Sequence, residues 1–330
     1  MHTTEHKQLS TLIEEGLSAL NLPDTPGLLY DPVRYTLDLP GKRVRPFLTL
    51  TGCGIAGGEP QEALSAAIAL ELLHNFTLLH DDIMDAAETR RGEDSVYKKW
   101  DANTAILAGD AMYAKAFKQL QYYGRNRNYS KEQYAQIIDI FLDSAESVCE
   151  GQAYDLDFED RIKVSLDEYL HMIEGKTAAL ISGSLAIGGA VAGAKEKILQ
   201  QLYDIGQTMG IAFQIQDDLL DVIADPEKFG KQRGGDIMEG KKTYLSLLAL
   251  QRCNDKQAKI LQDILRKKNN SENDVTQVVE LYKNLDIINS TRLTIKEYYQ
   301  QSLNLVGVFE SSIYKDQLIS FLNRLISREF

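Results

Sequence analysis

The chain has 330 residues, 44% of them hydrophobic, with seven prolines, which suffices to bury a large core in a mostly helical protein. Its formal net charge of −12 argues against nucleic acid or an anionic membrane as a partner, since no basic stripe offsets it. Basic residues gather instead at 42–45, 90–91 and 231–242, a distribution suited to small anionic ligands.

Leu9, Leu12, Ile13, Leu17 and Leu20 fall at helical spacing over 8–20, and Asn21-Leu-Pro-Asp-Thr-Pro-Gly27 ends that helix. A short segment over 30–37 leads to Pro40-Gly41, and a helix is expected from Val44 to Ile55. Lys42, Arg43 and Arg45 stand at its start, where unsatisfied N–H groups and the positive dipole end also favour an anion. Gly57-Gly58-Glu59-Pro60 breaks the chain before a long apolar helix that starts near Gln61 and ends in Asp81-Asp82-Ile-Met-Asp85. At roughly 100° per residue, positions four apart share a face. Asp81 and Asp85 therefore point the same way, and His74, Thr77 and Leu78 continue their stripe. Two carboxylates facing one space repel unless a cation sits between them, which marks a hard-metal site. Taken alone, the motif fits the solvated end of an acidic helix equally well, and a lone His74 fits a core histidine. Arg90 and Arg91 follow directly, with forks suited to phosphate oxygens.

Past a loop at Gly92–Ser95, Trp100 reads as a packing residue. A helix from Asn103 to Tyr122 carries Ala105, Ala108, Gly109 and Ala111, small enough for close packing. Tyr123–Ser130 reads as a polar loop, and a helix over 131–150 is expected to end at Gly151-Gln-Ala-Tyr-Asp155. The helix that starts at Leu166 is interrupted at Glu174-Gly-Lys-Thr177. A kink there frees carbonyls and aims Lys176 and Thr177 into a cavity; the alternative is a packing glycine beside an exposed lysine. After the small apolar run Ala178–Ala192, a helix over 196–224 carries Phe213-Gln-Ile-Gln-Asp-Asp-Leu-Leu-Asp221. Asp217 and Asp221 share a face with Gln214, Gly210 and Gly206, whose smallness leaves room for a ligand. Lysines beside glycines follow in Gly230–Thr243, Lys231 and Lys241 among them. A second acid motif on an apolar helix, again followed by basic residues, weighs against two solvated helix ends. Segments 244–253, 256–266, 274–284, 288–304 and 314–328 read as helical scaffold, with a loop at Asn269–Asn273 and no strand-period run.

Cys53, Cys149 and Cys253 lie far apart without metal-ligand spacing and read as reduced thiols of a cytoplasmic protein. No uninterrupted apolar run reaches the ~18–20 residues that span a bilayer, and no signal-peptide pattern is present, so the chain is expected not to be membrane-spanning.

Five motifs in order carry a resemblance: Gly41-Lys-Arg-Val-Arg-Pro46, Asp81–Asp85 with Arg90-Arg91, Gly175-Lys-Thr177, Phe213-Gln214 with Asp217–Asp221, and the lysine loop 230–243. Over about Leu39–Thr243 the sequence resembles the trans-prenyl diphosphate synthases, the polyprenyl synthetase family. The resemblance implies a single all-α domain over 1–330, a helical bundle around a deep central cavity, working as a homodimer. It implies condensation of an allylic diphosphate (dimethylallyl, geranyl or farnesyl) with isopentenyl diphosphate through an allylic carbocation, dependent on about three Mg2+ ions. By that match Asp81 and Asp85 hold two ions, Asp217 a third, and Asp221 is an outer-sphere partner. Lys42, Arg45, His74 and Arg91 bind isopentenyl diphosphate, while Arg90, Lys176, Lys231 and Lys241 grip the allylic diphosphate. Gln214 and Thr177 stabilise the cation, and Gln152 and Asp155 match a weaker signature near the cavity. The glycine-rich loop 230–240 is expected to order over the site. Phe76 and Thr77, five and four residues before Asp81, form the floor that sets chain length, about 7.5 and 6 Å down the helix axis. One aromatic and one small residue there resemble geranylgeranyl diphosphate synthases (C20), with farnesyl (C15) as the alternative. A class I terpene cyclase needs no second anion site at Lys42, Arg45 and Arg91. A non-catalytic subunit of a heteromeric synthase is expected to lack an acid motif, and both are intact here.

Overall fold

The computed structural model describes residues 4–223 and 234–327, with side chains from residue 8 onward, and their regular structure is almost wholly helical. Contacts divide the chain into two units. The first comprises Met1–Ala145, Gly183–Tyr203 and Phe309–Leu318, and the second Glu146–Ser182, Asp204–Val308 and Ile319–Phe330.

In the first unit, α1 (Thr4–Ser18) buries Leu9, Ile13 and Leu17, the stripe expected from their spacing. The segment 30–37 belongs to a helix, α2 (Gly27–Asp38), which accommodates Pro32 near its start. α3 (Val44–Ile55) and a 3-10 turn at Pro60–Ala63 lead into α4 (Leu64–Met84). Ala66 to Leu73 of α4 are all buried, so this stretch is enclosed around its whole circumference and is apolar except for Glu71. By length and composition Pro60–Met84 is able to cross a membrane, contrary to the count of uninterrupted apolar residues, but 61% of its apolar window is buried as core. A two-residue antiparallel pair, β1 (Thr89–Arg90) and β2 (Glu93–Asp94), follows α4, too short for any strand period to register in the sequence. After α5 (Val96–Lys99), Asp101 caps α6 by accepting from the Thr104 N–H at 2.8 Å. α6 (Ala102–Arg125) runs into the segment expected to be loop. Ala105, Ala108 and Gly109 face α4, and a Cβ on Gly109 would come within 2.6 Å of the His80 ring. Trp100 packs edge-on against Tyr35, 5.4 Å between ring centres.

Four helices pass from one unit into the other: α7 (Lys131–Asp160), α9 (Ala179–Val191), α10 (Glu196–Ile223) and, further along, α16 (Ile313–Ile326). α7 does not stop at Gly151. That glycine is a contact: a Cβ there would lie 2.1 Å from the Lys176 nitrogen. Between α8 (Leu166–Ile173) and α9, Glu174–Ala178 forms a π-helical turn, which realises the expected interruption at Gly175. Gly206 and Gly210 on α10 do not leave room for a ligand either. Cβ atoms there would meet the Cα atoms of Ser182 and Ala178 at 2.4 and 2.5 Å, so both glycines admit a neighbouring backbone. The second unit is completed by α11 (Gly235–Glu239), α12 (Tyr244–Arg252), α13 (Asp255–Leu265), α14 (Glu272–Asn284) and α15 (Ile287–Gly307). Capping boxes start α8, α12, α13 and α14, at Ser165, Thr243, Asn254 and Ser271.

Gly151→Ala is expected to destabilise the chain by about 1–3 kcal/mol, because a backbone collision outweighs the gain of ~1 kcal/mol in helix propensity. Gly307→Ala, where an added Cβ meets nothing within 4 Å, is expected to be neutral or slightly stabilising. Urea midpoints of the two variants measure the contrast.

Candidate active site

Asp81 lies in the last turn of α4, and Asp85 caps its end, its N–H bonded to the Asp81 carbonyl at 2.9 Å. Two carboxylates thus sit where the helix dipole is already negative, an arrangement that calls for cations. Ala86 then turns the chain with φ of 48°, and Arg91 and Gly92 turn it again at 56° and 85°. This hairpin brings Arg90 back to the helix. Its Nε donates to Asp82 Oδ1 at 2.8 Å and its Nη2 also binds Asp82, while Asp81 Oδ2 lies 3.5 Å away. Asp82, which the reading of the shared face passed over, is 2% exposed and is the anchor of the arginine hairpin. Burial raises its pKa while Arg90 opposes the rise.

A second group in the same unit gathers at the start of α3. Arg43 adopts φ of 45° and pairs at 2.9 Å with Glu71, a carboxylate only 2% exposed. Glu71 is also braced by Asn75 Nδ2 at 3.2 Å. Arg45, two residues further on, carries a buried Nε with no acceptor among the described residues. Burial pulls its guanidinium down to about 10, despite Glu71 and helped by Arg91. Arg91 itself lies against Gly41: a Cβ on that glycine would come within 2.9 Å of Nη1. The pKa of His74 falls well below 6.5, first through burial and then through Arg45, Arg91, Arg90 and Arg43. Arg45, Arg91, Arg90 and Arg43 thus all bear on His74, and Arg43 is in addition the partner of Glu71. Lys42 is exposed.

In the second unit, the π turn presents Lys176 to Asp155, 2.6 Å apart, so Asp155 orients the lysine. Thr177 Oγ1 donates to Gln214 Oε1 at 2.8 Å, and Gln214 Nε2 donates to Asp218 Oδ1 at 3.2 Å. Asp218 is another residue that spacing alone missed. Its Oδ2 accepts the Tyr169 hydroxyl at 2.5 Å and the Tyr244 N–H at 2.9 Å, and burial raises its pKa to about 6. Asp217, next to it on α10, is half-buried. Asp221 is less available to a metal than its position in the motif suggests, since its two carboxylate oxygens accept the N–H groups of Gly235 and Asp236, both at 3.1 Å. It caps α11 and thereby fixes the start of the segment that leads to Lys241. Lys241 pairs with Glu239 at 2.8 Å. Lys231 and most of the glycine-rich loop lie outside the described residues.

Residues 26–282 match the family model for polyprenyl synthetase. The chain is 36% identical over 317 residues, 96% of its length and 94% of the relative's, to the short chain isoprenyl diphosphate synthase of Methanothermobacter thermautotrophicus. The crystal structure of geranylgeranyl pyrophosphate synthetase from Pyrococcus horikoshii Ot3 superposes with a TM-score of 0.91 at 35% identity, covering 98% of this chain and 100% of that one. A polyprenyl synthase from Caulobacter crescentus CB15, solved with calcium and isoprenyl diphosphate, is 25% identical with a TM-score of 0.86, covering 100% and 96% of the two chains.

The environment of His74 yields a pH test. Its folded pKa is depressed, so the stability it contributes is complete above the unfolded value of 6.5 and is lost as pH falls below it. The slope is ~1.4 kcal/mol per pH unit for one proton. Urea unfolding of His74→Gln beside the parent from pH 7.5 to 5 is expected to show the variant losing less stability as pH falls; parallel curves would defeat the assignment.

Proposed function

The chain belongs to the polyprenyl synthetase family, as a prenyltransferase of the short-chain isoprenyl diphosphate synthases, and on that premise we propose that it condenses an allylic diphosphate with isopentenyl diphosphate and stops at geranylgeranyl diphosphate. The observation that carries this reading is the buried Arg45 Nε, without an acceptor among the described residues and beside a histidine held neutral. An arginine donor screened from water is costly unless an anion completes it. Arg45, Arg91, His74 and Lys42 accordingly bind the diphosphate of the homoallylic substrate. A class I terpene cyclase handles one diphosphate and has no use for this second anion site.

Arg90, Lys176, Lys231 and Lys241 grip the allylic diphosphate, with Asp82 and Asp155 holding Arg90 and Lys176 in place. Asp81, Asp85 and Asp217 offer hard oxygen donors to magnesium. Among the described residues no three acidic, histidine or cysteine side chains form a ready metal cage. Such a donor set fits an ion that keeps several waters and takes its remaining oxygens from substrate phosphates. When bound, that metal neutralises the diphosphate leaving group. The C–O bond of the allylic substrate breaks, the isopentenyl double bond attacks the cation, and a proton passes to the released diphosphate. Thr177 and Gln214 lend oxygen dipoles to the cation, and Asp218 holds the Gln214 amide from its far end.

The C20 assignment rests on Phe76, whose ring lies 4.7 Å from His80 and 5.2 Å from Tyr113, with Phe117 a further 5.2 Å beyond Tyr113. This wall supports a floor at Phe76, while Thr77, bonded to the His74 carbonyl at 2.8 Å, leaves the level above it open. Exposed Ile106, Leu107 and Leu142 in the first unit support a homodimer that buries them. Free Cys53, Cys149 and Cys253 accord with the reducing cytoplasm, and the four helices common to both units support a single domain.

With geranyl diphosphate alone no hydrocarbon is expected; with isopentenyl diphosphate added, a C20 diphosphate forms and EDTA abolishes it. Phe76→Ala is expected to lengthen the product and Thr77→Phe to shorten it towards C15, read by chromatography of the dephosphorylated alcohols. Arg45→Ala is expected to raise the KM for isopentenyl diphosphate roughly tenfold or more, with a smaller change for the allylic substrate. Equal effects on both substrates would overturn the division of the two anion sites.

A further inference from the structure

Apart from the residues assigned above, the second unit holds a cavity of about 420 Å3 between the α7–α8 turn and helices α12 and α13, a size typical of small-ligand sites. Its floor is apolar, with Leu247, Leu250 and Leu265 beneath Ile162, a side chain 66% exposed. Its rim carries Arg161, Lys163, Lys242 and Arg266 against one carboxylate, Glu168. That carboxylate is already engaged: it binds Arg161 at 2.6 Å and the Ser165 N–H at 2.8 Å. Lys242 Nζ donates to the carbonyls of Phe158 and Glu159 at 2.5 and 3.2 Å, which satisfy its hydrogen bonds without cancelling its charge. Burial lowers the Lys242 pKa even with Glu159 and Asp160 nearby. The side chains of Lys163 and Arg266 form no hydrogen bond or ion pair among the described residues. Within a chain of net charge −12, three cations thus surround an oily hollow.

We propose that this cavity is a second ligand site, for a phosphorylated amphiphile with a short isoprenoid tail. Charge complementarity specifies the head, since three further cations line a rim whose one carboxylate, Glu168, is already bound to Arg161. The apolar floor specifies the tail, which covers Ile162 as it enters. The isoprenoid character of the tail rests on the proposed function; the site itself does not. Its ligand needs no metal, because the rim is already cationic, whereas a diphosphate among aspartates requires one.

The test is equilibrium dialysis of the full chain against labelled farnesyl diphosphate in excess EDTA, with saturating unlabelled isopentenyl diphosphate to occupy the Arg45 site. One equivalent is expected to bind, and the double variant Lys163→Glu, Arg266→Glu is expected to weaken that binding on the order of tenfold or more. Magnesium-dependent condensation and the urea midpoint are expected to stay unchanged in the variant, since both residues are exposed and stand outside the catalytic set. Absence of metal-independent binding, or undiminished binding by the variant, overturns the proposal. Decanoate binding as tightly as farnesyl diphosphate overturns the phosphate head. Binding retained by a chain that fails to condense substrates overturns the proposed function and leaves the site standing.

Discussion

Positive charge held away from water is the constraint on which the first unit depends. Arg43 is neutralised by Glu71, and Arg90 by Asp82, but Arg45 and Arg91, which also bear on His74, pair with no carboxylate among the described residues. The arginines keep His74 unprotonated, so the histidine adds a hydrogen-bonding ring without adding to the excess. The positive φ values of Arg43 and Arg91 show the same tension in the backbone, since these conformations are unfavourable for a residue with a side chain. A protein built only for stability would have little reason to retain such an arrangement. An anionic ligand, as proposed above, would supply the missing counter-charge.

The two acid motifs share a division of labour that neither copy displays alone. In each, the first aspartate is partly open, while the middle one is buried and ties down the basic segment that follows. Asp82 holds the arginine hairpin, and Asp218 holds the Tyr244 N–H, two residues past the lysine pair Lys241-Lys242. The buried carboxylate of each motif thus decides where the basic segment after it stands. The last aspartates diverge: Asp85 ends an exposed turn, whereas Asp221 is committed to the N–H groups that open α11. This difference argues for a weaker direct role of Asp221 than of Asp85 at the metal.

Much of this was legible in the chain itself, because apolar spacing writes helices plainly and because acid and base motifs recur in order. The break at Gly175 and the stripe shared by Asp81 and Asp85 follow from local geometry alone. What remained hidden depends on partners distant in sequence. Gly151 looks like a helix stop but admits the Lys176 backbone, and Gly206 and Gly210 look like space for a ligand but admit Ser182 and Ala178. A missing side chain reads the same whether a backbone or a substrate fills the gap. Asp82 and Asp218 were passed over for a related reason: they lie roughly 100° round the helix from Asp81 and Asp217, off the shared stripe, and only tertiary contact reveals what that side holds. The α2 helix was obscured by Pro32, which sits at its sixth residue and removes one backbone N–H from the helical ladder.

The π turn at Glu174–Ala178 has a further consequence for how this chain tolerates insertions and deletions. A π turn contains one residue more than the α-helical turn it replaces, so it shifts the angular phase of everything after it by roughly 100°. Removing a single residue there would let α8 and α9 fuse into one regular rod with every backbone bond still formed. The fused helix would turn Ser182 and Ala178 away from the glycines that receive them. A length change of one residue, silent in composition and harmless to helicity, would therefore be among the most disruptive edits the gene could suffer.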